Sequence, residues 1–335
     1  MNILVSRLRF MGDVILTIPL LHTIRLQYPN ATITYLTEEV FASLLNNHPD
    51  VDEVLIVKKS LGSQLGLVCN LLKTRFDVAI DLFGNPRSAL LIWLSGAKRR
   101  IGGDYRGRRY LFTDRIIDHS KQLNAIEYHM RYGDPLGLAK DYEDPKIYTT
   151  DEEKDWASRH LKNLGYPIDC PIIAIHTGAS WPAKKWLPER FAKLATQIQK
   201  ELNCEVYFTT GPGEEKDVQS VIDLCACKVN KPEVLSVRKL AAILSCVNVF
   251  VSNDCGPMHL APAVGTPTIG IFGPGEPEIW FPYSKDKGHQ FIHHEIDCSR
   301  CHQDFCEKLD CMRFIKVQDV FNAVMSALKF SIQSK

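Results

Sequence analysis

No stretch of this 335-residue chain stays apolar for the roughly 20 residues that a membrane-spanning helix requires. The longest apolar run, near Ala89 to Leu94, stops far short of that. Charge of one sign is scarce as well. Forty Lys and Arg against 39 Asp and Glu leave a formal net charge of +1, so no global field argues for a nucleic-acid partner. Internal repeats and low-complexity tails are missing. A secretory leader would need an apolar core early in the chain, and Arg7, Arg9 and Asp13 in MNILVSRLRFMGDV interrupt it. Cysteine is the exception to this scarcity, at eleven residues. Without a leader these are expected to be thiols in a reducing, cytoplasmic setting. What is left is an ordinary globular composition, 45% hydrophobic and 24% charged, on a chain long for one core. Two domains are the expectation.

Short apolar strands alternate with helical patterns in two series, which implies an α/β fold with mainly parallel sheets covered on both faces. In the first series Ile3 to Val5, Thr32 to Leu36, Val54 to Val57 and Val78 to Asp81 read as strands. Arg9 to Gly12 reads as a loop and Asp13 to Leu26 as a helix that Pro19 kinks. The polar segment from Pro135 to Asp155 reads as the linker, which divides the chain into domains 1–155 and 156–335. The second series has strands at Ile172 to His176 and Val206 to Thr209. Its helices are Leu187 to Leu202, Glu214 to Cys225, Val237 to Ser245 and a closing Val317 to Leu328. Two Rossmann-like domains facing each other across a cleft would bind ligands at the carboxyl ends of their strands.

The run VSNDCGPMHLAPAVGTPTIGIFG, from Val251 to Gly273, joins a strand to a helix through a Gly-Pro turn. Free amides and the positive end of a helix dipole make such a turn an anion site. Asp254, Cys255, Gly256, Pro257, Met258 and His259 lie on it. The loop after the same domain's first strand, with Thr177, Gly178, Ser180, Lys184 and Lys185, offers hydroxyls and lysines that suit phosphate oxygens. Two anion-receptive loops in one domain fit a diphosphate; each alone also reads as a solvated surface loop. Gly211 to Glu215 reads as a tight turn opening a helix. In the first domain Gly12 allows close backbone approach and Asp13 follows it, either as a helix cap or as a general base toward a hydroxyl. Lys98, Arg99, Arg100, Arg106, Arg108, Arg109 and Arg115 form a basic stretch. It reads as a solvated loop or as a patch for an acidic acceptor or an anionic membrane surface. Cys298-x2-Cys301-x4-Cys306-x4-Cys311 could hold a structural Zn or Fe, or be packed, reduced thiols; its later spacings are not those of common zinc motifs.

Together these motifs resemble glycosyltransferase family 9, the ADP-heptose:lipopolysaccharide heptosyltransferases. The resemblance spans nearly the whole chain: ILVSRLRFMGDVILTIPLLHTIRLQYPNATITYLT, LSGAKRRIGG, IAIHTGASWPAKKWLPERFAKLA and VSNDCGPMHLAPAVGTPTIGIFGPGEPEIWFPY. It implies a GT-B enzyme with acceptor bound mainly by the first domain and donor by the second. The last helix would cross back to the first domain. The resemblance further implies that Asp13 is the base, that Lys184 contacts the phosphate–sugar end of the donor, and that Asp254, Gly256 and His259 form the donor motif. The reaction would be inverting and need no metal, with nucleotide diphosphate leaving. Cys255 stands where the family usually has Thr or Ser, and Thr177 where Pro is common. Rival readings are another nucleotide sugar, or a protein or other glycan acceptor, within the family. Outside it stand a non-catalytic binding protein and a nicotinamide oxidoreductase, the latter opposed by Arg-Phe-Met-Gly-Asp in place of G-x-G-x-x-G.

Overall fold

Ile3-Leu4-Val5 and Ile172-Ile173-Ala174-Ile175 carry no polar alternation, the signature of strands covered on both faces; all but Ile172 are fully buried. The computed structural model describes residues 1–58, 60–117, 123–167 and 170–333. It contains two compact units, Met1–Tyr148 and Thr149–Lys335. No helix among the described residues is long and apolar enough to cross a membrane.

The first unit runs Asn2–Ser6 (β1), Met11–Leu16 (α1), Ile18–Gln27 (α2), Thr32–Glu38 (β2), Glu39–Ala42 (α3), Glu53–Val57 (β3) and Leu61–Thr74 (α4). It continues with Val78–Asp81 (β4), Pro86–Leu94 (α5), Arg99–Gly103 (β5), Asp114–Ile116 (β6) and Ala125–Met130 (α6). Its six strands lie in the order β3-β2-β1-β4-β5-β6, with all the pairings parallel. Order reverses between β1 and β4, where Ser6 pairs with Asp81. The single helix expected over Asp13 to Leu26 is instead two, and the first starts at Met11. They part at Thr17, whose hydroxyl donates to the Val14 carbonyl at 2.7 Å while Pro19 opens the second helix.

The second unit begins with Asp151–Asn163 (α7), held by a capping box in which Thr150 and Glu153 bond each other's backbone N–H. The final residues of the expected linker are therefore helix. Next come Ile172–His176 (β7), Pro188–Leu202 (α8), Glu205–Thr209 (β8), Glu215–Leu224 (α9), Val237–Cys246 (α10), Val249–Asn253 (β9) and Gly256–Ala263 (α11). Thr268–Phe272 (β10), Pro277–Trp280 (α12), Gln290–His293 (β11), Asp310–Arg313 (α13) and Val317–Gln333 (α14) close the chain. The order β11-β10-β9-β7-β8 is again parallel and reverses between β7 and β9. The last helix, expected to cross back, packs Val320, Phe321, Val324 and Ala327 into the core of its own unit, against α8, β9 and β10.

Candidate functional site

In an open parallel sheet the loops leaving neighbouring strands diverge at the switch point and leave a crevice there. Each unit has one, and each holds a polar cluster.

In the first unit the crevice lies past Ser6 and Asp81. Phe10 caps α1, so Asp13 sits at the third helical position and closes back on the Phe10 N–H through Oδ2 at 3.1 Å. Its Oδ1 forms an ion pair with Arg7. Arg7 also donates to the Leu82 carbonyl at 2.6 Å and lies 5.0 Å from the Phe83 ring centroid. The guanidinium thus ties the Asp13 loop to the β4–α5 loop. That second loop is organised by Asp81, which is fully buried. Its Oδ1 accepts the N–H groups of Phe83 and Gly84, and its Oδ2 accepts the Ser88 hydroxyl. Burial pushes the Asp81 carboxyl up to about 6. Gly84, with φ of +66°, is needed here because a Cβ would sit 2.1 Å from the Tyr105 ring. His129 is buried close by and is held neutral, pushed down to about 3 by burial and then by the Arg7 charge. Gly12 is buried under this turn.

The basic stretch divides. Arg99 pairs with Asp114 at 2.7 Å, and Arg100 spends its guanidinium on the carbonyls of Leu111 and Ala97. Both lie in β5 and serve the fold. Lys98 pairs with Asp77 at 3.1 Å. Arg106 and Arg109 stay exposed around a cavity of about 550 Å³, with Asp104, Gly107 and Tyr110. Arg108 lies over Tyr105, and Arg109 and Arg115 flank Tyr110.

In the second unit His176 pairs with Ser252, and the loops after β7 and β9 meet. Asn253, fully buried, joins them. Its Oδ1 accepts the Trp186 N–H at 3.0 Å, and its Nδ2 donates to the Thr177 carbonyl at 2.9 Å and more weakly to that of Gly178. This brings Lys184 to Asp254, Nζ to Oδ2 at 2.6 Å. The contact is ionic, and the buried Asp254 Oδ2 takes no aligned hydrogen bond. Lys184 also lies 4.6 Å from the Trp181 ring centroid. The Thr177 hydroxyl is buried without a partner, while Ser180 is exposed and Lys185 turns away to Asp217 at 2.6 Å.

The helix start offers fewer amides than expected. Pro257 has none and the Met258 N–H bonds the Cys255 carbonyl at 3.1 Å, which leaves that of Gly256. Met258 has a fully buried side chain against Gly270, so it packs rather than reaches a ligand. His259 is buried with Nδ1 3.0 Å from the Tyr283 hydroxyl. Burial, followed by the Lys184 charge, pushes its ring down to about 3, so it is a neutral group.

His176 and Glu214 were not singled out by the pattern, yet they form the base of this crevice. His176 Nε2 lies 3.3 Å from Glu214 Oε2, and Nδ1 lies 3.0 Å from Thr209 Oγ1. Burial opposes charge on the ring, but the Cys255 sulfur and the Glu214 carboxylate outweigh it and hold it up to about 10. A Cβ on Gly178 would meet the Glu214 carboxylate at 2.2 to 2.3 Å, so that side chain would have to move to admit one.

The cysteine segment behaves differently. Cys311 is buried and its thiol is pushed up by burial and then by Cys301, Cys306 and Cys298. Those three thus lie within electrostatic reach of Cys311. Among the described residues, however, no three His, Cys, Asp or Glu side chains are posed to hold a metal ion.

Two doubly wound parallel units with polar switch points are the architecture of the GT-B class of two-domain transferases. Residues 65–310 match the model of glycosyltransferase family 9 (heptosyltransferase), and the chain belongs to that family. It is 25% identical over 294 residues to lipopolysaccharide heptosyltransferase 3 of Escherichia coli strain K12, covering 83% of this chain and 84% of that one. The glycosyl transferase family 9 structure from Veillonella parvula matches with a TM-score of 0.85 at 26% identity, over 98% of this chain and 97% of that one. E. coli ADP-heptose LPS heptosyltransferase II matches with a TM-score of 0.82 at 23% identity, over 98% of each chain. The chain is a glycosyltransferase, and the activity at the level of its family is heptosyl transfer in lipopolysaccharide synthesis.

Proposed function

We propose that this enzyme transfers heptose from ADP-heptose to a hydroxyl of the lipopolysaccharide inner core, with inversion and with Asp13 as general base. The observation that carries the reading is the Lys184–Asp254 ion pair at the switch point of the second unit, beside the Gly256 amide. As a diphosphate enters, the Lys184 ammonium shifts its charge to phosphate oxygens, and Asp254 is freed to accept from donor hydroxyls. The buried Thr177 hydroxyl supplies a further donor. The acceptor oxygen attacks the anomeric carbon as its proton passes to the Asp13 carboxylate, and the bond to the diphosphate breaks on the opposite face. Lys184 and the Gly256 N–H meet the charge growing on the departing diphosphate, a role a divalent cation fills elsewhere. Arg7 orients Asp13 by holding Oδ1.

The exposed Arg106 and Arg109 around Tyr110 suit the acidic acceptor, or the anionic inner face of the membrane that carries it. The setting would be cytoplasmic, peripheral to that membrane. A panel of nucleotide sugars, with product read by mass spectrometry, tests the donor; turnover with another sugar nucleotide and none with ADP-heptose refutes it. For the base, Asp13→Asn should lower kcat by about 10²- to 10⁴-fold with donor Kd within about twofold. An unchanged kcat removes Asp13 from the role.

A further inference from the structure

Helices α4 and α5 are apolar on two faces. Leu67 and Leu71 of α4 pack into the core with Leu91 and Ile92 of α5. The outward faces are apolar too. Leu65 and Leu72 on α4 are 70% and 52% exposed, and Leu90 and Trp93 on α5 are each 48% exposed. A helix apolar all round is ordinarily covered all round. The two helices pack on each other, and α5 also packs against the turn Arg109–Leu111, so these side chains belong to one layer of the first unit. A Cβ on Gly96, just past α5, would lie 3.7 Å from Leu72 Cδ2, which places Leu72 beside the end of the neighbouring helix. Tyr110, 70% exposed, extends the layer from that turn.

Positive charge gathers in the segment that builds this layer. Residues 58–117 hold twelve Lys and Arg against four Asp and no Glu, while the remaining chain holds 28 against 35. Of the four, Asp81 is buried, and Asp77 and Asp114 are paired with Lys98 and Arg99. Lys73, Arg75, Arg106, Arg109 and Arg115 are exposed. Helices α4 and α5 contain no acidic residue at all. The charge decides what covers the leucines. A second copy docked face to face would set these cations against their own equivalents, whereas an anionic bilayer complements them.

We propose that the outer face of α4 and α5, with the Arg109–Leu111 turn, docks on an anionic lipid bilayer. Leu65, Leu72, Leu90 and Trp93 enter the boundary between headgroups and acyl chains, and the cations around them meet headgroup phosphates. This deepens the membrane setting proposed above by naming the surface and its lipid. Helix α5 starts at the loop that Asp81 organises, so the docked face borders the first crevice. Its use in presenting a lipid-borne acceptor there rests on the transferase reading; the docking itself does not.

The full chain is sedimented with vesicles of phosphatidylethanolamine containing about one quarter phosphatidylglycerol, and with vesicles of phosphatidylcholine alone. Half-binding should need about tenfold less lipid on the anionic vesicles, and about 0.5 M salt should erase that difference. Leu90→Ser with Trp93→Ser should weaken binding to the anionic vesicles by about 10- to 100-fold. Arg106→Gln with Arg109→Gln, which leaves the core untouched, should weaken it about 25-fold, or about fivefold per cation. Equal binding to both vesicles overturns the inference, as does wild-type binding by either folded double variant. So does a lipid-free dimer that Leu65→Ser with Leu72→Ser dissociates, because a second copy then covers the face. Sedimentation needs neither donor nor acceptor. A chain that binds vesicles but does not turn over ADP-heptose keeps this surface and refutes the donor reading; the converse result refutes this surface alone.

Discussion

Replacing Asp81 by asparagine should make the first unit more stable at neutral pH relative to acid. Asp81 is fully buried at the end of β4, and burial raises its carboxyl from the ordinary 3.8 to about 6. The folded state therefore holds this proton more tightly than the unfolded chain. Asp81 costs nothing below both values, becomes destabilising as pH rises between them, and reaches its full cost above 6. That full cost is about 3 kcal/mol, and the portion developed between pH 4.5 and 7.5 is about 2 kcal/mol. Asparagine removes the titration and keeps the shape. Its Oδ1 can still accept from Phe83 and Gly84, and its Nδ2 can donate to Ser88 Oγ, whose hydroxyl also reaches the Asn85 carbonyl at 3.1 Å. Amide hydrogen exchange of the β1 and β4 peptides, read by mass spectrometry at both pH values, isolates this unit from the other. The wild-type-to-variant difference should move by about 2 kcal/mol in favour of Asp81→Asn from pH 4.5 to 7.5. A difference that does not change with pH would show that Asp81 is ionised at no unusual cost and refute the reasoning.

Lys184→Ala should weaken ADP binding by about 10- to 100-fold in calorimetric titration, the range of a charge-assisted contact, and leave Asp254 buried without its cation. Lys184→Ala with Asp254→Asn should recover thermal stability but not affinity; recovery of neither would mean the pair is not coupled. Gly178→Ala should cost about 1–3 kcal/mol in urea unfolding, because Glu214 must leave His176 to make room. Trp186→Ala should cost about 3–5 kcal/mol, since the ring is buried edge-on to Phe191 and its backbone N–H anchors Asn253; a loss under 1 kcal/mol contradicts that packing.

Most strands were legible from sequence because they lack alternation, and Val78 to Asp81 and Ile172 to His176 match to the residue. Strands β5 and β6 were not, because Arg99, Arg100 and Arg115 read as a charged loop. Their charges are spent on Asp114, on main-chain carbonyls and at a tyrosine face, which no local pattern reveals. At the site, the Gly-Asp and Asp-Cys-Gly-Pro turns stood out as strand-to-helix junctions. His176 with Glu214, and Arg7 with Phe83, escaped notice because each pair joins loops after different strands. Sequence also overstated the helix start at Gly256: proline and a tight first turn consume amides that an ideal helix leaves free.

The two switch points solve one problem with different chemistry. In each unit the strand lying beside the first, β4 or β9, ends in a fully buried polar side chain that fixes the loops of the crevice. In the first unit the partners are two N–H groups and a hydroxyl, all donors, and aspartate accepts from each. In the second, the Trp186 N–H donates while the carbonyls of Thr177 and Gly178 need donors, so only a side chain with both functions serves, and asparagine stands there. The difference carries into function. The carboxylate at Asp81 brings a buried charge that Arg7 can share while it holds Asp13, whereas the neutral Asn253 adds no second carboxylate to the Lys184–Asp254 pair. Exchanging the two should therefore fail at the second switch point, whereas Asp81→Asn keeps its partners at the first. Asn253→Asp would set a carboxylate against two carbonyls and cost about 3 kcal/mol or more, read as lost protection of the β7 and β9 amides in hydrogen exchange. Protection equal to wild type would show that the loops are held by something other than this side chain.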